Sequence, residues 1–278
     1  MMTAVAAPFR FFSLQVARTR RLGPSLVRVT FAGADLAHFH SHGRDQSLSL
    51  FLPAEGHTEP AVPTELGDGW WQGWRELPDG VRAVMRSYTL RELRRDPDEI
   101  DIDFVLHGVE PGAAVAAGPA SRWASRAAAG DRVVLLGPAI ADNRAIRFRP
   151  PEDTDLVLIW GDETAVPAAT AALESLPAGT RVRAWLEVPC AGDVQDVATE
   201  ADAEITWLVG GREATEEIRA AQLPSHAHPY AWIAGESGRV KELRRHLVGE
   251  RGIDRRRVTF VGYWRQGLTE EQLRVAGE

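Results

Sequence analysis

Short apolar runs that alternate with polar residues dominate the first half of the chain. This alternation is typical of strands with one buried face, and glycine and proline residues separate the runs with turn chemistry. The predicted strands are residues 11–17, 26–31, 48–52, 84–90, 100–107 and 132–136. So many short strands in succession predict an antiparallel β-barrel. Trp70, Trp71 and Trp74 lie in a glycine-rich loop, which we expect them to pin against the barrel.

The second half has a different pattern, which begins after the sequence RPPED at residues 149–153. Continuous apolar runs, predicted as strands, occupy residues 156–160, 182–188, 205–209, 230–234 and 258–263. Segments with helical spacing lie between them, at residues 164–176, 213–222 and 237–250. This alternation predicts a parallel sheet covered by helices, which binds ligands at the carboxyl ends of its strands. The predicted domains are residues 1–150 and 151–278.

Composition narrows the class of protein and the classes of partner. With 44% hydrophobic and 26% charged residues, the 278-residue chain is globular rather than disordered. Its net charge of −7 argues against a nucleic-acid partner. Cys190 is the only cysteine, which excludes an intrachain disulfide and favours a reducing compartment. No segment resembles a signal peptide or reaches about 18 consecutive apolar residues, so we expect a cytoplasmic protein without membrane insertion.

The sequence Arg86-Ser87-Tyr88-Thr89 ends a predicted strand of the barrel. Because successive strand residues point to opposite faces, Arg86 and Tyr88 share one side, and Ser87 and Thr89 share the other. A guanidinium is suited to binding a phosphate, and the phenol ring beside it is suited to packing against a flat heterocycle. The same residues also fit an ordinary half-exposed strand, so the motif alone does not identify a ligand.

The sequence Gly118-Pro119-Ala120-Ser121 predicts the beginning of a helix. Glycine permits close approach of the backbone, proline suits the first helical position, and the amide groups that follow form an anion site. Ser121 would add a hydroxyl to that site. A helix beginning without a ligand has the same pattern. Two candidate phosphate-binding features in one domain nevertheless favour a single diphosphate ligand.

A third motif, Gly161-Asp162-Glu163-Thr164, joins the first strand of the second domain to its first helix. It is not a Gly-x-Gly-x-x-Gly loop, and two carboxylates suit helix capping or sugar hydroxyls better than phosphate. The histidines at positions 38, 40, 42 and 57 lie in polar segments without cysteine, and we predict no resident metal. No Gly-x-Ser-x-Gly elbow supports hydrolase chemistry.

Six motifs together carry a resemblance to a known family. They are MRSYTLR at residues 85–91, DFVLHG at 103–108, GPASRWA at 118–124, GDET at 161–164, WIAGE at 232–236 and GYWR at 262–265. Their order resembles that of the siderophore-interacting protein family, a branch of the ferredoxin-reductase-like superfamily. The resemblance covers nearly the whole chain. It implies a flavin-binding antiparallel barrel followed by a nicotinamide-binding α/β domain with a parallel sheet.

The resemblance also implies roles for particular residues. FAD would be held by Arg86, Ser87, Tyr88, Thr89, Asp103, His107, Gly108, Gly118, Pro119, Ala120, Ser121 and Trp123. The nicotinamide dinucleotide would bind at Gly161, Asp162, Glu163, Thr164, Gly235 and Glu236. Tyr263 and Trp264 would lie near the flavin ring at the domain junction, and Arg265 would contact an anionic substrate. The stretch 109–117 is longer than in compact family members, which leaves its loop geometry open.

The function that the resemblance implies is reduction of a ferric siderophore by NAD(P)H through FAD, with Fe(II) released in the cytoplasm. Two alternatives remain open: a flavin reductase or electron-transfer flavoprotein with another acceptor, and a siderophore-binding module without turnover. Glu187 would favour NADH if it bound a ribose hydroxyl, whereas Arg183 or Arg212 would favour NADPH. The sequence does not decide between the two dinucleotides, nor does it predict the siderophore or the oligomeric state.

Overall fold

The computed structural model describes residues 7–109, 112, 116–211, 214–268 and 272. The chain divides into two compact units, Met1–Ile146 and Arg147–Glu278. The division precedes the Pro150-Pro151 sequence at which the pattern of the chain changes. Within the described residues, no helix has the length and apolar character needed to cross a membrane.

The first unit is built on one antiparallel sheet of seven strands. The strands are β1 (Phe9–Gly23), β2 (Leu26–Ala32), β3 (Ser47–Leu52), β4 (Val84–Thr89), β5 (Glu92–Arg94), β6 (Glu99–Val105) and β7 (Arg132–Pro138), in the spatial order β4-β3-β7-β1-β2-β6-β5. Tyr88 of β4 nevertheless packs on Phe104 of β6, with 4.3 Å between the ring centroids. Two strands that are far apart in this order therefore meet, because the sheet curls into a half-barrel. The predicted antiparallel barrel is confirmed in this form.

The two faces of β6 have different chemistry. Ile100, Ile102 and Phe104 are buried in the apolar core of the unit. The alternate residues are acidic, and arginine side chains bind them on the other face. The pairs are Arg18 with Glu99, Arg28 with Asp103, and Arg94 with both Glu99 and Asp101. Alternation along one strand thus separates the hydrophobic core from a layer of ion pairs.

The tryptophan-rich segment forms helix α1 (Trp70–Glu76) rather than the predicted loop. Trp74 is buried, and its indole donates to the main-chain oxygen of Ala83 at 3.1 Å. Its ring also packs edge-on against Phe51 of β3. The helix therefore attaches the long connection between β3 and β4 to the barrel. A second helix, α2 (Pro119–Arg126), lies between β6 and β7 along the chain.

The second unit contains a parallel sheet of five strands, as predicted. The strands are β8 (Leu156–Gly161), β9 (Arg181–Val188), β10 (Asp202–Val209), β11 (Pro229–Glu236) and β12 (Val258–Trp264), in the order β10-β9-β8-β11-β12. The helices are α3 (Val166–Glu174), α4 (Ala214–Ala220) and α5 (Ser237–Arg245). The end of α5 continues as a wider helical turn, His246–Glu250. Separate apolar clusters lie against the two faces of the sheet, which explains why β8 is buried throughout.

Candidate functional site

Strand β4 carries the first motif of the barrel unit. Arg86 and Tyr88 are half-buried, whereas Ser87 is exposed and Thr89 is buried. The Tyr88 ring rests against Phe104, which belongs to the core. A strand paired to β3 along its whole length thus carries a guanidinium and an aromatic ring two residues apart. Arg86 and Tyr88 thus have the spacing predicted for residues that bind a phosphate and an adjoining heterocycle.

Helix α2 begins beside the end of β6. Gly118 is its N-cap and Pro119 lies in its first turn. The Ser121 hydroxyl accepts from the main-chain N–H of His107 at 3.2 Å and donates to the main-chain oxygen of Val105 at 3.1 Å. The hydroxyl therefore ties the first turn of α2 to the last residues of β6. Helix α2 also contacts β4, the strand that carries Arg86.

Open space lies between the beginning of β4 and the first turns of α2. A cavity of about 200 Å³ there is lined by Val84, Pro119, Arg122 and Trp123 among other residues. Trp123 and neighbouring residues also line a second cavity of about 440 Å³. At Gly118, an added Cβ atom would meet no atom within 4 Å, so the helix begins at an open surface.

These residues fit FAD. The amide groups in the first turn of a helix have no acceptor within the helix and attract anions, so the beginning of α2 suits a diphosphate. Arg86 supplies a guanidinium on the neighbouring strand, and Tyr88 supplies an aromatic surface. The cavity beside the beginning of β4 adds open space next to the first turns of α2. The chain therefore offers the donors and the flat surface that FAD requires.

The motif DFVLHG at residues 103–108, which is predicted to line the FAD site, has hydrogen-bond partners inside the barrel unit. The Asp103 carboxylate accepts two hydrogen bonds from Arg28 of β2, at 2.7 and 2.8 Å. It lies on the opposite face of β6 from Phe104, so its FAD contact stays a prediction. His107 is exposed, and Gly108 has a φ of 67°, a left-handed conformation that glycine adopts without strain.

At the carboxyl edge of the parallel sheet, one buried carboxylate joins several segments. Asp162, which follows β8, is 1% exposed. Its Oδ1 atom accepts from the main-chain N–H and the hydroxyl of Thr164, at 3.0 and 2.6 Å. Its Oδ2 atom accepts from the main-chain N–H of Glu236 and from the indole Nε1 of Trp264, both at 2.8 Å. One side chain therefore links the ends of β8, β11 and β12.

Two glycine residues at the same edge lie in close contact with neighbouring side chains. Gly235 has a φ of 143°, and an added Cβ atom would lie 2.5 Å from the Asp162 carboxyl group. At Gly262, an added Cβ atom would lie 2.4 Å from the hydroxyl of Ser237. That hydroxyl donates to the main-chain oxygen of Trp264 at 3.0 Å. Trp264 is therefore held through both its indole and its backbone.

Other predicted dinucleotide contacts also have partners inside this unit. The Glu236 side chain caps α5 by accepting from the main-chain N–H of Arg239 at 2.9 Å. At Gly161, an added Cβ atom would lie 3.1 Å from the Cβ atom of Ala165, so the turn after β8 is tight. Tyr263 packs against the apolar core of the unit, and Arg265 is exposed. Contacts of these residues with a dinucleotide or a substrate stay predictions.

A second polar cluster lies at the same edge. The Glu187 carboxylate of β9 accepts two hydrogen bonds from Arg239 of α5, at 2.7 and 2.6 Å, and one from the indole of Trp160 at 2.7 Å. Burial raises the pKa of Glu187, and Arg239 opposes that effect. Burial also raises the pKa of Glu163 to about 7, with the charge of Asp162 adding to it. Because Arg239 and Trp160 already bind the Glu187 carboxylate, Glu187 is poorly placed for the ribose contact considered above.

The roles of Arg239 and Trp160 were not predicted from the sequence. Both are partners of Glu187, and Arg239 comes from a different element more than fifty residues further along the chain. The one local signal was the position of Arg239 in the first turn of α5, where a basic residue is unusual. Of the residues considered for NADPH, Arg183 forms an ion pair with Glu204, and Arg212 lies outside the described residues. No group of three or more potential metal ligands occurs among the residues that the structure describes.

Comparison with known proteins decides the family. The model of the siderophore-interacting FAD-binding domain matches residues 15–142, and the siderophore-interacting protein model matches residues 154–267. The NADPH-dependent ferric-chelate reductase of Escherichia coli is 33% identical over 263 residues, which cover 92% of this chain and 93% of that protein. The chain belongs to the siderophore-interacting protein family.

Further relatives agree with this membership. Ferric vibriobactin reductase ViuB of Vibrio cholerae is 29% identical to this family member over 264 residues, covering 93% of this chain and 90% of ViuB. The crystal structure of the siderophore-interacting protein SipS from Aeromonas hydrophila superposes with a TM-score of 0.75 and 31% identity, covering 97% of this chain and 99% of SipS. A siderophore utilization protein from T. fusca gives a TM-score of 0.74 at 29% identity, with 95% of each chain covered. The predicted family, the class of FAD-dependent oxidoreductase and the cofactors FAD and NAD(P)H are confirmed.

Proposed function

We propose that this protein is a ferric-siderophore reductase, in which electrons from NAD(P)H pass through FAD to Fe(III) and Fe(II) is released in the cytoplasm. The observation that carries the proposal is the convergence of β4, the end of β6 and the beginning of α2 beside an open cavity. Relatives named as ferric vibriobactin reductase and NADPH-dependent ferric-chelate reductase support the choice of substrate class.

The barrel unit binds and orients the cofactor. Arg86 and the first-turn amides of α2 hold the diphosphate, and Ser121 keeps that turn fixed to the end of β6. Tyr88, supported from behind by Phe104, offers a rigid aromatic surface to the flavin ring. Bound FAD supplies the redox chemistry, since flavin accepts a hydride from reduced nicotinamide and passes on single electrons. No acid or base side chain is required for that transfer.

The parallel sheet supplies the edge at which the reductant binds. The segment Gly161 to Thr164, Gly235 and Glu236 lie at the carboxyl ends of β8 and β11, where ligands of such sheets bind. The substrate brings its iron inside the chelate, so the protein supplies no iron ligands. Many ferric siderophores are anionic, and the exposed Arg265 would attract them. Fe(II) binds hard oxygen donors more weakly than Fe(III), so reduction promotes release of the metal.

Anaerobic turnover tests the proposal directly. Purified protein is reconstituted with FAD and mixed with NADPH or NADH, a ferric siderophore and a ferrous-iron trap. We expect bleaching of the flavin spectrum by the dinucleotide, followed by stoichiometric Fe(II) formation. Flavin reduction without Fe(II) formation would instead indicate a flavin reductase or an electron-transfer flavoprotein. Siderophore binding by a protein that retains no FAD would indicate a binding module and overturn the proposal.

Replacement of Arg86 with alanine tests the FAD site. Loss of a charge-assisted hydrogen bond to phosphate is worth about 1.5–3 kcal/mol, so we expect the Kd for FAD to rise roughly 10- to 100-fold. Quenching of flavin fluorescence on titration of the apoprotein measures that constant. Arg20→Ala, at an exposed position on β1, is the matched control and should leave it unchanged. An unaltered FAD affinity in the Arg86 variant would remove this residue from the site.

A further inference from the structure

The side chain of Asp162 is fully engaged inside the second unit. It is 1% exposed, and its two oxygens accept four hydrogen bonds from Thr164, Glu236 and Trp264. Hydrogen bonds to an ionised carboxylate are stronger than those between neutral groups. The backbone of Gly235 packs directly against the carboxylate, because even a methyl group added at Gly235 would overlap it. The side chain thus has no surface from which to bind a sugar hydroxyl.

Trp264 is the partner whose position matters for function. It ends β12 at the carboxyl edge of the parallel sheet and is half-buried. Its indole N–H donates to Asp162, and its main-chain oxygen accepts from Ser237 at 3.0 Å. Rotation about two side-chain bonds sets the orientation of an indole, and the hydrogen bond from Nε1 to Asp162 restrains both rotations. An aromatic face held in one orientation can receive a planar ligand without first being ordered.

We infer that Asp162 is a positioning residue, which fixes the indole of Trp264 and the end of β11 at the edge where the reductant binds and does not itself contact the dinucleotide. The inference rests on the proposed function for the identity of that ligand. It changes the role that the GDET motif gives to Asp162, from a direct contact to a support for other residues. Glu163 and the backbone of the turn are then the parts of the motif left to contact the ligand.

The alternative is that Asp162 merely stabilises the fold. A structural role predicts that Asp162 variants lose folded protein while the remaining molecules bind the dinucleotide normally. A positioning role predicts weaker dinucleotide binding in fully folded molecules and a Trp264 ring that has lost its fixed environment. The two roles therefore differ in quantities that can be measured on the folded protein.

The first measurement needs neither cofactor nor turnover. The full chain contains nine tryptophans, so a ¹⁵N–¹H correlation spectrum of tryptophan-labelled protein shows nine indole signals. Trp264→Phe identifies the Trp264 signal by its loss. In Asp162→Ala we expect this signal to move and its proton to exchange faster with solvent, while the other signals hold. If Asp162→Ala does not fold, Asp162→Asn serves, because an amide has one acceptor oxygen and cannot satisfy all four donors.

The second measurement separates binding from chemistry in the FAD-loaded protein. We expect Asp162→Asn and Trp264→Phe each to raise the KM for NADPH, and the Kd for NADP⁺, by about tenfold, with kcat per bound flavin within about threefold of the original. The double variant should lose less than the sum of the two single losses, since both substitutions act on the hydrogen bond between Asp162 and Trp264. Asp155→Asn is the control, because Asp155 binds two backbone amides at the opposite end of β8.

Several results would overturn the inference. A Trp264 indole signal that is unmoved in the Asp162 variants would show that the hydrogen bond does not fix the ring. Additive losses of NADP⁺ affinity in the double variant would show that Asp162 acts independently of Trp264. An unchanged KM and Kd with less folded protein would leave only the structural role. Failure of ferric-chelate reduction by the original protein would count against the proposed function alone, because the indole spectrum and NADP⁺ binding are measured without iron.

Discussion

Replacement of Glu163 with glutamine tests the electrostatics of the carboxyl edge. Burial, together with the neighbouring charge of Asp162, raises the pKa of Glu163 from its ordinary 4.5 to about 7. The folded state therefore binds a proton that the unfolded state has already lost in this interval. The contribution of Glu163 to stability therefore falls as the pH rises from about 4.5 to about 7, because the folded state then carries a poorly solvated carboxylate. A glutamine at this position has no charge to desolvate.

The size of the effect follows from the same values. At 1.36 kcal/mol per pKa unit, the rise in the pKa of Glu163 from 4.5 to about 7 corresponds to about 3 kcal/mol. Glu163 keeps some exposure, and solvent screening reduces the figure to roughly 1–3 kcal/mol. Because the rest of the chain is unchanged, subtraction of the two unfolding free energies at each pH isolates this group.

Urea unfolding followed by far-UV circular dichroism at pH values from 4.5 to 8.5 provides the measurement. We expect Glu163→Gln to gain roughly 1–3 kcal/mol over the original protein between the acid and alkaline ends of the range. Glu216→Gln, at an exposed position on α4, is the control for loss of a surface carboxylate and should change the unfolding free energy little. A Glu163→Gln difference that stays constant, or that favours glutamate as the pH rises, would refute the reasoning.

Two further substitutions test the contacts around this edge. Arg239→Ala leaves the buried Glu187 carboxylate without its guanidinium partner. We expect this variant to lose about 2–4 kcal/mol of stability in urea unfolding. The loss should be larger above neutral pH, because burial raises the pKa of Glu187 further once Arg239 no longer opposes it. A loss below 1 kcal/mol would contradict this. Gly235→Ala places a Cβ atom 2.5 Å from the Asp162 carboxyl group at a φ of 143°, and we expect about 3 kcal/mol or more of destabilisation by the same measurement. Gly80→Ala, with no atom within 4 Å of the added Cβ, should be nearly neutral, and equal effects in the two glycine variants would refute the account.

Local patterns predicted most of the fold because most elements bury one face. Strands β2, β3 and β8 begin and end within a residue or two of their predicted bounds, since each carries apolar residues at the expected spacing. Strand β5 was missed. Its three residues, Glu92–Arg94, are largely polar and pair with the acidic side of β6, so they carry no hydrophobic signal. Glycine residues surround the short helix α1, so the sequence predicts a loop there.

The candidate site was less predictable than the fold. The sequence predicts Arg86, Tyr88 and Ser121 as site residues because each motif is contiguous and has a recognisable chemistry. The hydrogen bond between Asp162 and Trp264 joins residues 102 positions apart, and no local pattern reports such a pairing. A buried carboxylate also looks the same in sequence whether it binds a ligand or a neighbouring indole. Partners that are distant in the chain can therefore be identified only from the three-dimensional structure.

The two close approaches at the end of β11 and β12 also bear on how this sequence can change during evolution. Gly235 leaves room only for Asp162, and Gly262 leaves room only for Ser237. A side chain added at Gly262 is tolerated only if Ser237 shrinks at the same time, so neutral drift there must pass through paired changes, whereas the φ of 143° at Gly235 strains any added side chain. In a library randomised at these four positions, surviving clones should keep glycine at 235, and the frequencies of residues at 262 and 237 should be statistically dependent.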